Sequence, residues 1–271
     1  MTATNYRLAM LDVDGTLQHR GQWNPGALEL VDLLHRRGIT VALCSGRTTG
    51  SMIWLADQLG HVSFISANSG STVLEKQGDQ WATLAHRALA VDAVGHVIEK
   101  AAEAGIEVWI HTEREWLAEE RTPRVDLDES FVGDSATVQA LAARDDVGKL
   151  LLHTGDPGHE GIARGIGELP GVAAVASSSV FVDLVPEVSA SAKGGDVLIE
   201  RLGLGWEQVI AIGDSENDRG MLCHAGLAIT IAPMTVDALT SPAPWQRRGE
   251  AADTAGALDV LREELDATLS E

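Results

Sequence analysis

Leu11-Asp12-Val13-Asp14-Gly15-Thr16-Leu17 closes an apolar run that begins at Arg7. The run Arg7 to Leu11 is short and unbroken, which predicts a strand buried on both faces. It ends on two carboxylates two residues apart, on a turn eased by Gly15. In an open parallel sheet, ligands bind beyond the carboxyl ends of the strands. Asp12 and Asp14 can therefore point into one site, one as a nucleophile and the other as a general acid/base. An Asx-rich turn with no catalytic role has the same residue pattern.

The segments downstream extend this strand into a fold class. Residues 25–37 carry helical spacing, with Leu28, Leu30, Val31, Leu33 and Leu34 expected to face inward. Asn24 is the expected N-cap, Pro25 the first helical residue and Gly38 the stop. Ile39 to Cys44 is a second apolar strand, about Thr48 to Leu59 a helix, and His61 to Ser66 a third strand. Strands alternating with helices predict an α/β fold, a Rossmann-like parallel sheet with crossover helices. The rhythm returns in a helix over Ala192–Leu202, a strand over Gln208–Ile212, a helix start over Asn217–His224 and a strand over Leu227–Ile231. A last helix is expected over about Ala255–Leu269. Residues 231–249, with Pro233, Pro242 and Pro244, read as a loop.

The middle of the chain differs. Short strands are expected at Val73–Glu75, Gln80–Leu84, Ile106–Trp109, Lys149–His153 and Val180–Val185. Helical stretches fall near Val91–Ala104 and Ser135–Ala143, with charges clustered from Glu113 to Glu129. This predicts an inserted α+β domain over 71–186, carried on a core made of 1–70 and 187–271.

Composition bounds the function. The 271 residues are 45% hydrophobic, enough for a sizeable core, and carry a formal net charge of -20. Such a surface repels nucleic acid and anionic lipid, so neither is expected as a partner. It also repels phosphorylated substrates, so an anion site must be a local positive pocket of Lys, backbone N–H groups and metal. Cys44 and Cys223 are too few for a disulfide scaffold, and Cys44 reads as a buried free thiol. No basic segment followed by an apolar stretch opens the chain, and no run approaches a membrane span, so a cytoplasmic protein is expected.

Three more clusters carry chemistry. Cys44-Ser45-Gly46-Arg47 ends the second strand, where the Ser45 hydroxyl and the N–H groups of Gly46 and Arg47 can meet an oxyanion; a plain N-cap serine reads the same way. Gly213-Asp214-Ser215-Glu216-Asn217-Asp218 offers the oxygen ligands that Mg²⁺ demands, and of Asp214 and Asp218, four apart across a helix start, one can touch the metal and the other orient it from behind. An acidic helix start complementing the dipole is the alternative, and the spacing is wrong for an EF-hand Ca²⁺ loop. Lys193 is the lone cation between Val185 and Ile199, placed at a helix start where a cation is unfavourable. It serves phosphate neutralisation or a solvated surface.

In combination, LDVDGTL (11–17), CSGR (44–47), ANSGS (67–71), SAKGGDVL (191–198) and GDSENDRGML (213–222) resemble a haloacid dehalogenase (HAD) superfamily phosphatase of the Cof-type group, with a large cap inserted after the second motif. The resemblance implies a Mg²⁺-dependent phosphatase acting on a small phosphorylated metabolite, such as a sugar phosphate. Asp12 would form an aspartyl-phosphate, and Asp14 would protonate the leaving oxygen and then activate water. Ser45, Gly46, Lys193 and Asn217 would hold the phosphoryl group. Mg²⁺ would sit on Asp12, the Asp14 carbonyl and Asp214, supported by Asp218. The cap would supply substrate contacts, with Asn68, His111, Glu113, Arg114, Trp116 and Asp183 as candidates. This chain has Asp183 where the family often has Glu, and Ile231-Ala232-Pro233-Met234-Thr235 where a small polar segment is usual. A phosphomutase of the same superfamily and a non-catalytic phosphate sensor are the competing readings. The first usually carries a small cap after the first motif, and the second has no need to keep Asp12.

Overall fold

The computed structural model describes residues 5–239 and 246–269. Strand β1 (Leu8–Asp12) is buried at every position. A small hairpin, β2 (Gln18–His19) and β3 (Gln22–Trp23), leads into α1 (Ala27–Arg36), β4 (Thr40–Cys44), α2 (Thr49–Leu59) and β5 (Val62–Ala67). The chain then reverses through β6 (Thr72–Gln77) and β7 (Gln80–His86). Next come α3 (Val91–Glu103), β8 (Val108–Thr112), β9 (Trp116–Ala118), α4 (Pro123–Val132), β10 (Thr137–Val138), β11 (Val147–His153), α5 (His159–Ile166), β12 (Val172–Ser178) and β13 (Phe181–Pro186). The return passes through a short α6 (Glu187–Ala190), α7 (Gly195–Leu202), β14 (Val209–Gly213), α8 (Arg219–His224), β15 (Leu227–Ile231), β16 (Arg247–Ala251) and α9 (Thr254–Leu269).

The first sheet has the order β16-β15-β14-β1-β4-β5-β6-β7. From β16 to β5 every pairing is parallel. The unbroken apolarity of β1 follows from burial on both faces. Ala9 and Leu11 pack with Leu30, Leu34 and Leu55 of α1 and α2 and with Leu261 of α9. Leu8 and Met10 pack with Leu198 of α7 and Leu222 of α8 on the opposite side. Cys44 is a buried free thiol, as expected. No helix among the described residues is long and apolar enough to cross a membrane.

Several expectations fail here. The strands expected at Val73–Glu75 and Gln80–Leu84 in the insertion instead extend the first sheet, β6 antiparallel to β5 and β7 antiparallel to β6. The cause is the turn Asn68-Ser69-Gly70, where three successive residues have positive φ (52°, 55° and 94°). Such a tight reversal leaves no room for the crossover of a dozen or more residues that a parallel neighbour requires. Leu28 points outward at 53% exposure. Asn24 does not cap α1: Gly26 takes that place with φ 87°, while the Asn24 amide donates to the Thr16 carbonyl at 3.0 Å. Of the loop expected over 231–249, Arg247, Arg248 and Gly249 belong instead to the parallel strand Arg247–Ala251, and Pro242 and Pro244 lie outside the described residues.

The second sheet has the order β10-β9-β8-β11-β13-β12. Its pairings are antiparallel apart from β9 with β10. One face carries Ile110, Leu150, Leu152, Val182 and Leu184 and packs on α3 and α5. Alternation puts Trp109 and His111 of β8, Lys149 and Leu151 of β11, and Phe181 and Asp183 of β13 on the other face. There Trp109, Trp116 and Leu151 pack with Val125 and Val132 of α4. The segment 135–143, expected to be helical, runs extended through β10, and the helices of this region are α4 and α5 instead.

Candidate active site

The carboxyl ends of β1, β4 and β14 converge. Asp12 ends β1, is 2% exposed, and accepts a hydrogen bond at Oδ1 from Lys193 Nζ at 3.0 Å. Its other oxygen, Oδ2, is buried and has no hydrogen-bond partner among the described residues. Burial pushes the Asp12 carboxyl well above its usual range. Asp218 adds to the shift, and Lys193 opposes it.

Lys193 is no surface lysine. It is 1% exposed and also donates to Asp218 Oδ1 and to Asn217 Oδ1 at 3.4 Å. Burial alone would lower its pKa, but Asp12 and Asp218 outweigh that and hold the ammonium charged. Asp218 is saturated: its Oδ2 accepts the Asp214 and Ser215 amides at 3.0 Å each. One oxygen each from Asp12, Asp214 and Asp218 lie within 4.8 Å of one another. Asp214 is pushed up to about 7, by burial first and then by Asp218. A Cβ on Gly15, at φ 90°, would fall 2.1 Å from Asp214 Oδ2. Close approach of the two loops therefore requires glycine there.

Asp14 is turned away from this trio. Arg47 holds it with two hydrogen bonds, Nε to Oδ2 at 2.7 Å and Nη2 to Oδ1 at 2.6 Å. Arg47 Nη2 also donates to Gln18 Oε1 at 2.9 Å. Ser45 is buried, and its Oγ accepts the Arg47 amide at 3.2 Å. The Thr48 hydroxyl, not Ser45, caps α2.

Above these residues lies a cavity of about 220 Å³ between the two sheets. Its walls include Asp12, Asp14, Ser45, Gly46, Arg47 and Asn217 below, and His111, Asp128, Phe131, Lys149, Ser177 and Phe181 above. Lys149 ties the layers together: its Nζ donates to the Gly46 carbonyl at 2.6 Å and to Asp183 Oδ2 at 3.2 Å. Asp183 accepts further bonds from Ser69 Oγ at 2.7 Å and Ser177 Oγ at 3.0 Å. The end of α4 docks on α2, where Thr48 Oγ1 donates to Asp134 at 2.5 Å and Ser51 Oγ to the Val132 carbonyl at 2.5 Å.

Of the substrate contacts expected from the insertion and its hinge, only His111 lines this cavity. Asn68 is buried in the hinge, donating to the Thr112 carbonyl at 3.0 Å. Asp183 lies buried behind Lys149. Arg114 is on the surface, paired with Glu113 at 3.2 Å, and Glu113 accepts a bond from Thr83. Trp116 packs in the cluster against Trp109, the rings tilted by 56° with centroids 5.1 Å apart. Lys149 and Asp128 were missed. A lone lysine inside the apolar run 147–152 was a readable signal for the first. Asp128 had none, lying among charges on an otherwise exposed helix.

A family model described as haloacid dehalogenase-like hydrolase matches residues 9–239, and the chain belongs to that family. Within it, the chain is an enzyme, a hydrolase. No curated protein matches the sequence. Solved structures match over nearly all their length. A haloacid dehalogenase-like hydrolase from B. subtilis is 15% identical with TM-score 0.80, covering 94% of this chain and 99% of its own. A HAD subclass IIB sugar phosphatase is 15% identical with TM-score 0.77, covering 95% and 98%. A HAD phosphatase from Bacteroides thetaiotaomicron is 17% identical with TM-score 0.73, covering 96% and 95%.

Proposed function

We propose that this hydrolase is a phosphatase, a Mg²⁺-dependent phosphomonoesterase that hydrolyses a sugar phosphate or similar small metabolite through an aspartyl-phosphate on Asp12. The observation that carries this reading is the orphaned Oδ2 of Asp12, buried beside a charged Lys193 at the floor of the cleft between the two sheets. A buried carboxylate oxygen with no partner is costly unless something else meets it, and here phosphorus or a metal would.

In the first step, Asp12 attacks phosphorus and the bond to the ester oxygen breaks. That oxygen takes a proton from Asp14, which then draws a proton from water as the acyl-phosphate is hydrolysed. Asp14 must leave Arg47 to do so, because a carboxylate doubly bonded to a guanidinium is held ionised. Lys193, the Ser45 hydroxyl, the Gly46 amide and the Asn217 side chain would hold the phosphoryl oxygens.

The donor set suits Mg²⁺: it is all oxygen, with Asp12 and Asp214 as carboxylate ligands and the Asp14 carbonyl, which the family resemblance implies, as a third. Both oxygens of Asp218 are already engaged, which fits a supporting role. Bound Mg²⁺ would neutralise charge on the transferring group.

We take residues 88–186 as the cap, since β6 and β7 belong to the first sheet. The sugar-phosphate class draws support from the structural relative that is a sugar phosphatase. The two free cysteines fit a cytoplasmic setting.

The test is phosphate release from p-nitrophenyl phosphate and a panel of sugar phosphates, with Mg²⁺, with EDTA, and with Asp12→Asn. Mg²⁺-dependent release that Asp12→Asn abolishes is expected. Release that survives in the folded variant would sink the aspartyl-phosphate mechanism.

A further inference from the structure

A second cleft opens beside the first, between the turn from β12 to β13 and the loops that follow β14 and β15. Asp14 lines both clefts. Asp214, Ser178, Ser179, Arg219 and Thr235 line the second, which gives a group attached to a phosphate on Asp12 a way outward. Arg219 also lines the hollow beside Asn217, so it stands at the rim of the same site.

Charge pairing separates Arg219 from the other cations here. The chain has 40 acidic residues against 20 Lys and Arg, and the cations around the site are taken up by carboxylates. Lys193 pairs with Asp12, Arg47 with Asp14, Lys149 with Asp183 and Arg164 with Glu216. The Arg219 guanidinium has no ion-pair or hydrogen-bond partner among the described residues, although Asp14, Asp214 and Glu216 line the same cleft. Its backbone is fixed: Gly220 lies so close to α6 that a Cβ there would clash with the Ala190 carbonyl. A half-buried guanidinium on a fixed base presents a fork of N–H donors that matches the two oxygens of a carboxylate. The exposed hydroxyls of Ser178, Ser179 and Thr235 add neutral donors. A carboxylate brings one charge, which one guanidinium balances. A second phosphate would bring roughly two, facing Asp14 and Asp214 with no other free cation among the described residues of the cleft.

We propose that Arg219 binds a carboxylate on the leaving group, so that the preferred substrate is a phosphorylated small carboxylic acid reaching from Asp12 to Arg219. The proposal rests on the phosphatase reading above and narrows its substrate class. It makes Arg219 a specificity-determining residue, apart from the groups that act on phosphorus.

The experiment compares kcat/KM within two matched pairs, 6-phosphogluconate with glucitol 6-phosphate and 3-phosphoglycerate with glycerol 3-phosphate. Each pair shares a carbon chain and differs by a terminal carboxylate. The wild type should favour the acid in at least one pair by at least about ten-fold. Arg219→Met should bring that ratio to within about two-fold of unity, and Arg219→Lys, which keeps the charge but not the fork, should retain part of it. Arg7→Met removes the same charge from an exposed site at the opposite end of β1 and should leave the ratio in place. No acid preference in either pair would overturn the proposal and leave the phosphatase reading standing. So would a preference that survives in folded Arg219→Met, or one lost equally in Arg7→Met. No turnover of any ester, p-nitrophenyl phosphate included, by folded, Mg²⁺-supplied wild type would overturn both.

Discussion

Replacing Lys149 with Met should destabilise the fold far more than the loss of one hydrogen bond. Lys149 is 2% exposed and Asp183 0%, with Nζ 3.2 Å from Oδ2. At that distance, with an effective dielectric constant near 20, the pair's gross attraction is about 5 kcal/mol. Met fills the space of the lysine stem but leaves Asp183 buried with only the Ser69 and Ser177 hydroxyls. It also removes the bond that ties the second sheet to the Gly46 carbonyl. Breaking a buried pair from one side costs about 3–5 kcal/mol. Taken with a urea slope of about 2–3 kcal/mol/M, the unfolding midpoint should fall by about 1–2.5 M. Tryptophan fluorescence, with Trp109 and Trp116 beside the pair, reports the transition. The double variant Lys149→Met/Asp183→Asn removes both charges and should recover much of the loss, giving a coupling of about 2 kcal/mol or more. A single variant within about 1 kcal/mol of wild type, or a coupling near zero, would refute the reasoning.

Two further outcomes follow from other parts of the structure. Asp128 is pushed up to about 6, mainly by burial. Folded protein then holds a proton that the unfolded chain has lost, so this group's contribution to stability is full below about pH 4 and is lost as pH rises through 6. The loss is about 1–3 kcal/mol. Asp128→Asn should gain on the wild type by that amount between pH 4.5 and 7.5 in paired urea titrations, and a difference that stays constant with pH would contradict it. Gly133, at φ 70°, would place a Cβ 2.4 Å from the Trp54 ring. Gly133→Ala should therefore cost about 1–3 kcal/mol and lower Tm by several degrees. Gly78→Ala, also at positive φ but with nothing within 4 Å, is the control and should cost clearly less; equal losses would remove Trp54 from the explanation.

The floor of the site was legible because its chemistry sits where strong local signals end. Asp12, Ser45 and Asp214 each follow an apolar run that reads only as a buried strand, and the structure brings all three strand ends together. Lys193 was legible as an oddity, a cation at a helix start. The roof was not, because its helices hide their periodicity. Helix α4 buries only Val125 and Val132 and leaves Leu127 63% exposed, so it has no apolar stripe. The stretch 135–143 is rich in alanine, a helix former, yet runs extended beside β9. The edge strand Arg247–Ala251 is polar and only partly buried, so it carries no strand pattern. In each case tertiary pairing overrides what a local window can register.

The placement of β1 also sets an order of events at the ribosome. Leu8 pairs with Val209, about 200 positions later in the chain. At about 5–20 residues per second, β1 waits about 10–40 s for its second neighbour to be made. Throughout that wait one edge of the strand is unpaired, and the face carrying Leu8 and Met10 awaits α7 and α8. The second sheet, by contrast, is contiguous in sequence and can close while the first is half built. The segment that roofs the cavity is therefore complete before the floor it covers, and the nascent chain's exposed liability is the same apolar run that ends in Asp12.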